Sequence, residues 1–208
     1  NSKAKGVARR IQALFLVLVF CLVSVVSAFP VNAAGIAGRY EMTKVSPEEI
    51  VSGGQYVFSI PGVISQKGTG TFALSSNDAT QPHLRDYVAF DGETAPSDII
   101  WVVEEFEDGY SLKSADSGAY LNIVKDSAGK LCLQMGEQQA LTLLAQNDRA
   151  AITREIDGVV YRARYTGNDG SGWQAAEAEA TSLFEIHEVG QQVKEEITEG
   201  QFSDIAAG

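Results

Sequence analysis

From Gln55 to Val189 the chain is a succession of short apolar runs broken every few residues by Gly, Asp, Asn or Ser, and no apolar stripe of helical period lasts long enough to build an amphipathic helix. An all-β body follows. The clearest part runs from Ile99 to Ile123. There an apolar run, Ile99 to Val103, ends in acidic residues, and Asp108-Gly109 marks a turn. Tyr110 and Leu112 then alternate with polar residues, and Asp116-Ser117-Gly118 turns the chain into Tyr120 to Ile123.

Read this way, the body falls into three sets of strands. The first has Tyr56 to Ile60, Gly70 to Leu74, Tyr87 to Phe90 and Ile99 to Val103. The second has Tyr110 to Lys113, Ala119 to Val124, Lys130 to Gln134 and Leu141 to Ala145. The third, one strand shorter, has Val159 to Tyr165, Trp173 to Ala176 and Ser182 to Glu188. Each set opens on a Gly shortly before a Tyr, at Tyr56, Tyr110 and Tyr161, with separations of 54 and 51 residues, and each closes on a strongly apolar strand. Units that cannot bury an apolar face alone are expected to pool one core.

The pattern of Trp101 followed by Asp108-Gly109-Tyr110-Ser111-Leu112 and Ser117-Gly118-Ala119-Tyr120-Leu121-Asn122, with echoes at Tyr56 and Phe184, resembles the β-trefoil superfamily of ricin-B-type lectins and fascins. The resemblance covers residues 53–189 and implies a β-trefoil-like barrel of three pseudo-repeats; a β-sandwich fits the same alternation. The layout also resembles the amino-terminal region of Gram-positive surface proteins of the pilin or adhesin kind. In ricin-type lectins a loop Asp, an aromatic platform and a polar residue close each sugar pocket. By that resemblance Asp116, Tyr120 and Asn122 take those places in the second unit, although the Gln-x-Trp element of the family is missing.

Four basic residues, Lys3, Lys5, Arg9 and Arg10, precede the apolar run Ala13 to Phe29, which Pro30 ends. This is the order of a secretory signal helix, with small residues for cleavage after Ala33 or, as the alternative, after Ala28. Residues 34–52 then form an amino-terminal extension, lying over the surface or adding a strand around Tyr40. In it, Ser46-Pro47-Glu48-Glu49 has the composition of a capped helical turn. Residues 190–208 read as an acidic linker. The chain opens on Asn, and the expectation is a piece of a longer protein, attached to the cell surface through a region beyond Gly208.

Removing the first 33 residues takes away four basic and no acidic side chains, so the formal charge moves from −11 to −15. Such a surface repels phosphate backbones and anionic headgroups, which argues against nucleic acid and against stable membrane association after cleavage. Cys132 is the one cysteine of the remainder, so no internal disulfide is available.

No catalytic constellation assembles. His83 and His187 stand apart, no Cys or His cluster has zinc spacing, and no cofactor motif is present. The carboxylates Glu104, Glu105, Glu107 and Asp108 read as an acidic rim on a strand edge, with a glycosidase pair as the weaker alternative. In the third unit the loop Asn168 to Trp173 is a hairpin turn. Its Trp173, beside Gln174 and Asp169, suits a sugar, because pyranoses stack C–H faces on aromatics and need paired donors and acceptors for their hydroxyls. A Lys-to-Asn isopeptide bond would require Lys113 or Lys125 against Asn122. The expectation is an exported, non-catalytic module with an adhesion or display role toward a glycan, host or cell-wall surface, or alternatively a lectin-like carbohydrate-binding module.

Overall fold

Fourteen strands make up the described chain: β1 (Gly38–Val45), β2 (Gln55–Ser65), β3 (Gly68–Leu74), β4 (Tyr87–Ala89), β5 (Thr94–Ala95), β6 (Trp101–Phe106), β7 (Gly109–Ser114), β8 (Tyr120–Lys125), β9 (Leu131–Gly136), β10 (Thr142–Gln146), β11 (Arg149–Ile156), β12 (Val159–Tyr165), β13 (Trp173–Glu177) and β14 (Glu185–Gln192). The computed structural model describes residues 38–65, 68–76, 87–165, 173–177 and 182–193. The signal segment, His83, Asp169 and the acidic linker past residue 193 lie outside them. The only helical pieces described are two 3-10 turns, Pro47–Glu49 and Ser97–Ile99. The expected turn at Ser46 is present in miniature, with Glu49 accepting the Ser46 N–H at 2.7 Å in a capping box.

Pairing is antiparallel throughout. One sheet runs β5-β1-β14-β2-β6-β7-β8-β9, with β3 and β4 branching from β2, and a second runs β10-β11-β12-β13. Two isolated bridges, Tyr110 to Leu141 and Ala150 to Phe184, connect the sheets. Strand pairing therefore passes from β2 to β6, β7, β10, β11 and β14 and returns to β2. Three opposed pairs recur along this circuit: Tyr56 with Trp101, Tyr110 with Leu141, and Ala150 with Phe184. Trp101 and Leu141 are 40 residues apart, and so are Tyr110 and Ala150. The turns between β6 and β7 and between β10 and β11 match too. Each has two residues, the first left-handed, Glu107 at φ 53° and Asn147 at φ 58°. That conformation suits the twist of a tight hairpin.

Between β7 and β10 the chain makes the hairpin β8/β9, and between β11 and β14 it makes β12/β13. The corresponding excursion from β2 is the longer β2/β3 pairing. Phe58, Leu112 and Ile152, each two residues past the recurring positions, are buried together with Trp101, Leu141 and Phe184 in one core. A smaller cluster lies on the other side of β2. Val57, Ala73 and Val189 are covered there by Phe90, Ala95, Ile99 and Ile100, because β2 is apolar on both faces.

Two sequence expectations require correction. The third set is not short of a strand: β11, from Arg149 to Ile156, precedes the expected opening at Tyr161, which lies on the next strand, β12. The cause is the composition of RAAITREI, whose Ala pair is unfavourable for strands and whose isoleucines, four apart, have Arg154 between them on the same face. The final strand also runs on to Gln192, past the expected boundary at Val189, because it pairs with β1 as far as Tyr40. Pairing with β14 makes the amino-terminal extension a strand, the second of its two expected forms.

Candidate functional site

The outer face of β6, β7 and β8 gathers a polar and aromatic patch. The two-residue turn after Phe106 fixes the register, which sets Glu104 opposite Ser111, and Lys113 stands opposite Tyr120 on the next strand. Tyr120 is half-buried. Its hydroxyl donates to Glu104 Oε2 at 3.1 Å, and the Lys113 ammonium lies 5.7 Å from its ring centroid. Gln138, from the loop after β9, donates to the same carboxylate oxygen at 3.3 Å and to Ser111 Oγ at 3.0 Å. Lys113 Nζ approaches Glu104 Oε1 at 4.0 Å. An aromatic ring set among a carboxylate, an ammonium and an amide is the kind of surface that meets both the C–H face and the hydroxyls of a sugar.

Of the other residues anticipated in the second unit, Asn122 is buried on the same face as Tyr120, two residues along. Its Nδ2 leaves no room for a side chain at Gly136, and its Oδ1 has no partner. Asp116 is exposed but engaged elsewhere, accepting from Ser97 Oγ at 2.8 Å. Ser114 Oγ accepts the backbone N–H groups of Asp116 and Ser117, both at 3.2 Å, so this turn is held by its own side-chain hydrogen bonds. It is also tied through Ser76 to the buried Asp98, whose carboxylate accepts from Ser75 at 2.6 Å. The structure thus gives Tyr120 the partners Glu104 and Lys113, and Gln138 reaches it only through Glu104; none of the three is assigned to it from sequence. The turn lies at Glu107-Asp108, one residue before the expected Asp108-Gly109, and that shift sets Glu104 opposite Ser111; nothing local points to Gln138.

In the third unit Trp173 is fully buried and is not a stacking platform for a ligand. It stacks on Phe184 at 5.6 Å and meets Tyr165 edge-on at 5.0 Å. Strand alternation explains the correction: Trp173 and Ala175 face the core, while Gln174 faces out and accepts from Arg164 Nη2 at 3.3 Å. Isopeptide chemistry lacks its geometry as well. Lys113 is committed to Tyr120 and Glu104, and Lys125 Nζ pairs with Asp157 at 3.1 Å.

His187 is half-buried and edge-on to Phe90 at 5.1 Å, and burial pushes its pKa below the usual imidazole value. Cys132 is buried, and desolvation raises its thiol pKa. Among the described residues, no three His, Cys, Asp or Glu side chains are grouped to hold a metal ion, and no helix is long and apolar enough to cross a membrane. No family model, curated protein or solved structure matches this chain.

Proposed function

We propose that this chain is an exported, non-catalytic adhesion or display module of a bacterial surface protein, built as a β-trefoil and contacting saccharides through the Tyr120 face. Support for the trefoil comes from the circuit of six pairings with its three recurring opposed pairs, which a two-sheet sandwich has no reason to produce. Support for export comes from the basic start, apolar run and small-residue site of the first 33 residues. The observation that carries the contact surface is the half-buried Tyr120 ring held by Glu104 and Lys113, with Gln138 bonded to the same Glu104 carboxylate. A glycan-array screen of the protein beside Tyr120→Ala tests it. Binding reduced about tenfold or more by the substitution is the expected result. Binding that survives it, or an array with no signal, would sink the saccharide contact.

A further inference from the structure

Two arginines of β12 stand out for what they lack. Arg162 and Arg164 are two residues apart on one strand, so they share a face and lie roughly 7 Å apart along it. The residues opposite them are neutral. Thr153 and Ala176 flank Arg162, and Gln174 opposes Arg164. Glu155, on the same face of β11, stands opposite Val160, and among the described residues neither arginine has an ion pair with it or with any other carboxylate.

A shortage of acids is not the reason. The chain carries 27 acidic against 16 basic residues, and five other described cations are matched: Arg39 with Glu93, Lys44 with Asp148 and Glu185, Lys113 with Glu104, Arg149 with Glu185, Lys125 with Asp157. Arg154, also without an ion pair among the described residues, donates instead to the Ile123 carbonyl. Arg162 and Arg164 are half-buried, and the Nε of each is sealed from solvent without an acceptor. A ligand cannot reach the sealed Nε atoms; what an oxyanion can meet is a guanidinium N–H group in contact with solvent, and a carboxylate matches a fork of two such groups. Arg164 is already oriented by its bond to Gln174 Oε1, which leaves the Gln174 amide nitrogen as a donor beside it.

We infer that Arg162, Arg164 and Gln174 form a binding site for the carboxylate of an acidic saccharide. The class of ligand follows from charge. A polyanion such as a nucleic acid would bring many charges against a chain of net −11 to reach two arginines. A sugar acid brings one negative charge on a neutral body whose hydroxyls can use the neighbouring amide. The site lies on β12 and β13, away from the Tyr120 face, and each stands or falls separately.

Titration of the protein with D-glucuronate, followed by the arginine Nε–H resonances in two-dimensional NMR, tests the site. D-glucose, acetate and the peptide Gly-Asp-Gly serve as comparison ligands. Saturable shifts of the Arg162 and Arg164 resonances by glucuronate are expected, with none from glucose and at least about tenfold weaker binding of acetate and of the peptide. Arg162→Gln and Arg164→Gln should each weaken glucuronate about tenfold. Arg162→Lys, which keeps the charge and loses the fork, should weaken it severalfold with an unchanged unfolding midpoint. Unmoved resonances, or binding indifferent to Arg164→Gln, would overturn the site. Acetate or Gly-Asp-Gly binding as tightly as glucuronate would overturn the saccharide assignment.

Discussion

At Gly109 an added methyl would run into the Leu141 carbonyl, the same oxygen that accepts the Tyr110 N–H at 2.8 Å where β7 meets β10. The obstruction is backbone and cannot swing aside. Gly109→Ala should therefore cost about 1–3 kcal/mol by overpacking, read as a lowered urea midpoint. Gly158→Ala, at φ +78° with open space around it, should cost only about 1 kcal/mol of backbone strain. The two tryptophans make a second contrast. Both are fully buried, but Trp101 Nε1 donates to the Leu74 carbonyl at 2.9 Å, whereas Trp173 Nε1 has no partner. Trp101→Phe strands a buried acceptor and Trp173→Phe removes an unpaired donor. The first should be the more destabilising, by about 1 kcal/mol or more in chemical denaturation.

Among the elements, β14 is the one on which the most depends. It pairs with both β1 and β2, sends Ile186 into the core and sets His187 against Phe90 on the other side. Burial disfavours the imidazolium, and the Glu185 carboxylate nearby only partly offsets this. The folded pKa lies below the unfolded one, so the unfolded chain binds the proton more readily. The contribution of His187 is fully present above pH ~6.5 and is lost as pH falls through that value toward the folded pKa. Urea midpoints should drop between pH 7.5 and 5.5 and should do so less in His187→Gln. Lys44 and Arg149 outweigh burial to hold Glu185 below its ordinary value, and Lys44 also lowers Asp148. These carboxylates titrate below that window and leave it to the histidine.

At the scale of the molecule, Trp101 belongs to the first set of strands and Trp173 to the third, and both join one core with Leu121 and Leu133 of the second. Even the smaller cluster beside β2, drawn mostly from the first set, takes Val189 from β14. Unfolding should then be a single transition, and the chain's two tryptophans give the means to check it. Fluorescence of Trp173→Phe reports on the first set and fluorescence of Trp101→Phe on the third. Within each variant the fluorescence midpoint should coincide with the far-UV circular dichroism midpoint. Separated midpoints would mean that the sets fold as independent units.

Period-two alternation and turn residues were enough to place most strands of the second set, because Tyr110, Leu112, Leu121, Ile123 and Leu133 each advertise a buried face in local sequence. Local sequence marked the turn after β6 one residue late, at Asp108-Gly109, whereas the loop is Glu107-Asp108, so which residues oppose one another across β6 and β7 was not legible from it. Local sequence could not reveal β11, whose Ala150 and Ala151 are buried by partners rather than by their own hydrophobicity. Nor could it tell that Trp173 points inward, since a hairpin strand beside a Gly-rich loop allows either register. Only long-range pairing decided these, along with the meeting of Glu104 with Gln138 and, among the described residues, the lack of an ion pair to Arg162 or Arg164. Alternation specifies that a strand has two faces, and what covers each face depends on chain folded back from elsewhere.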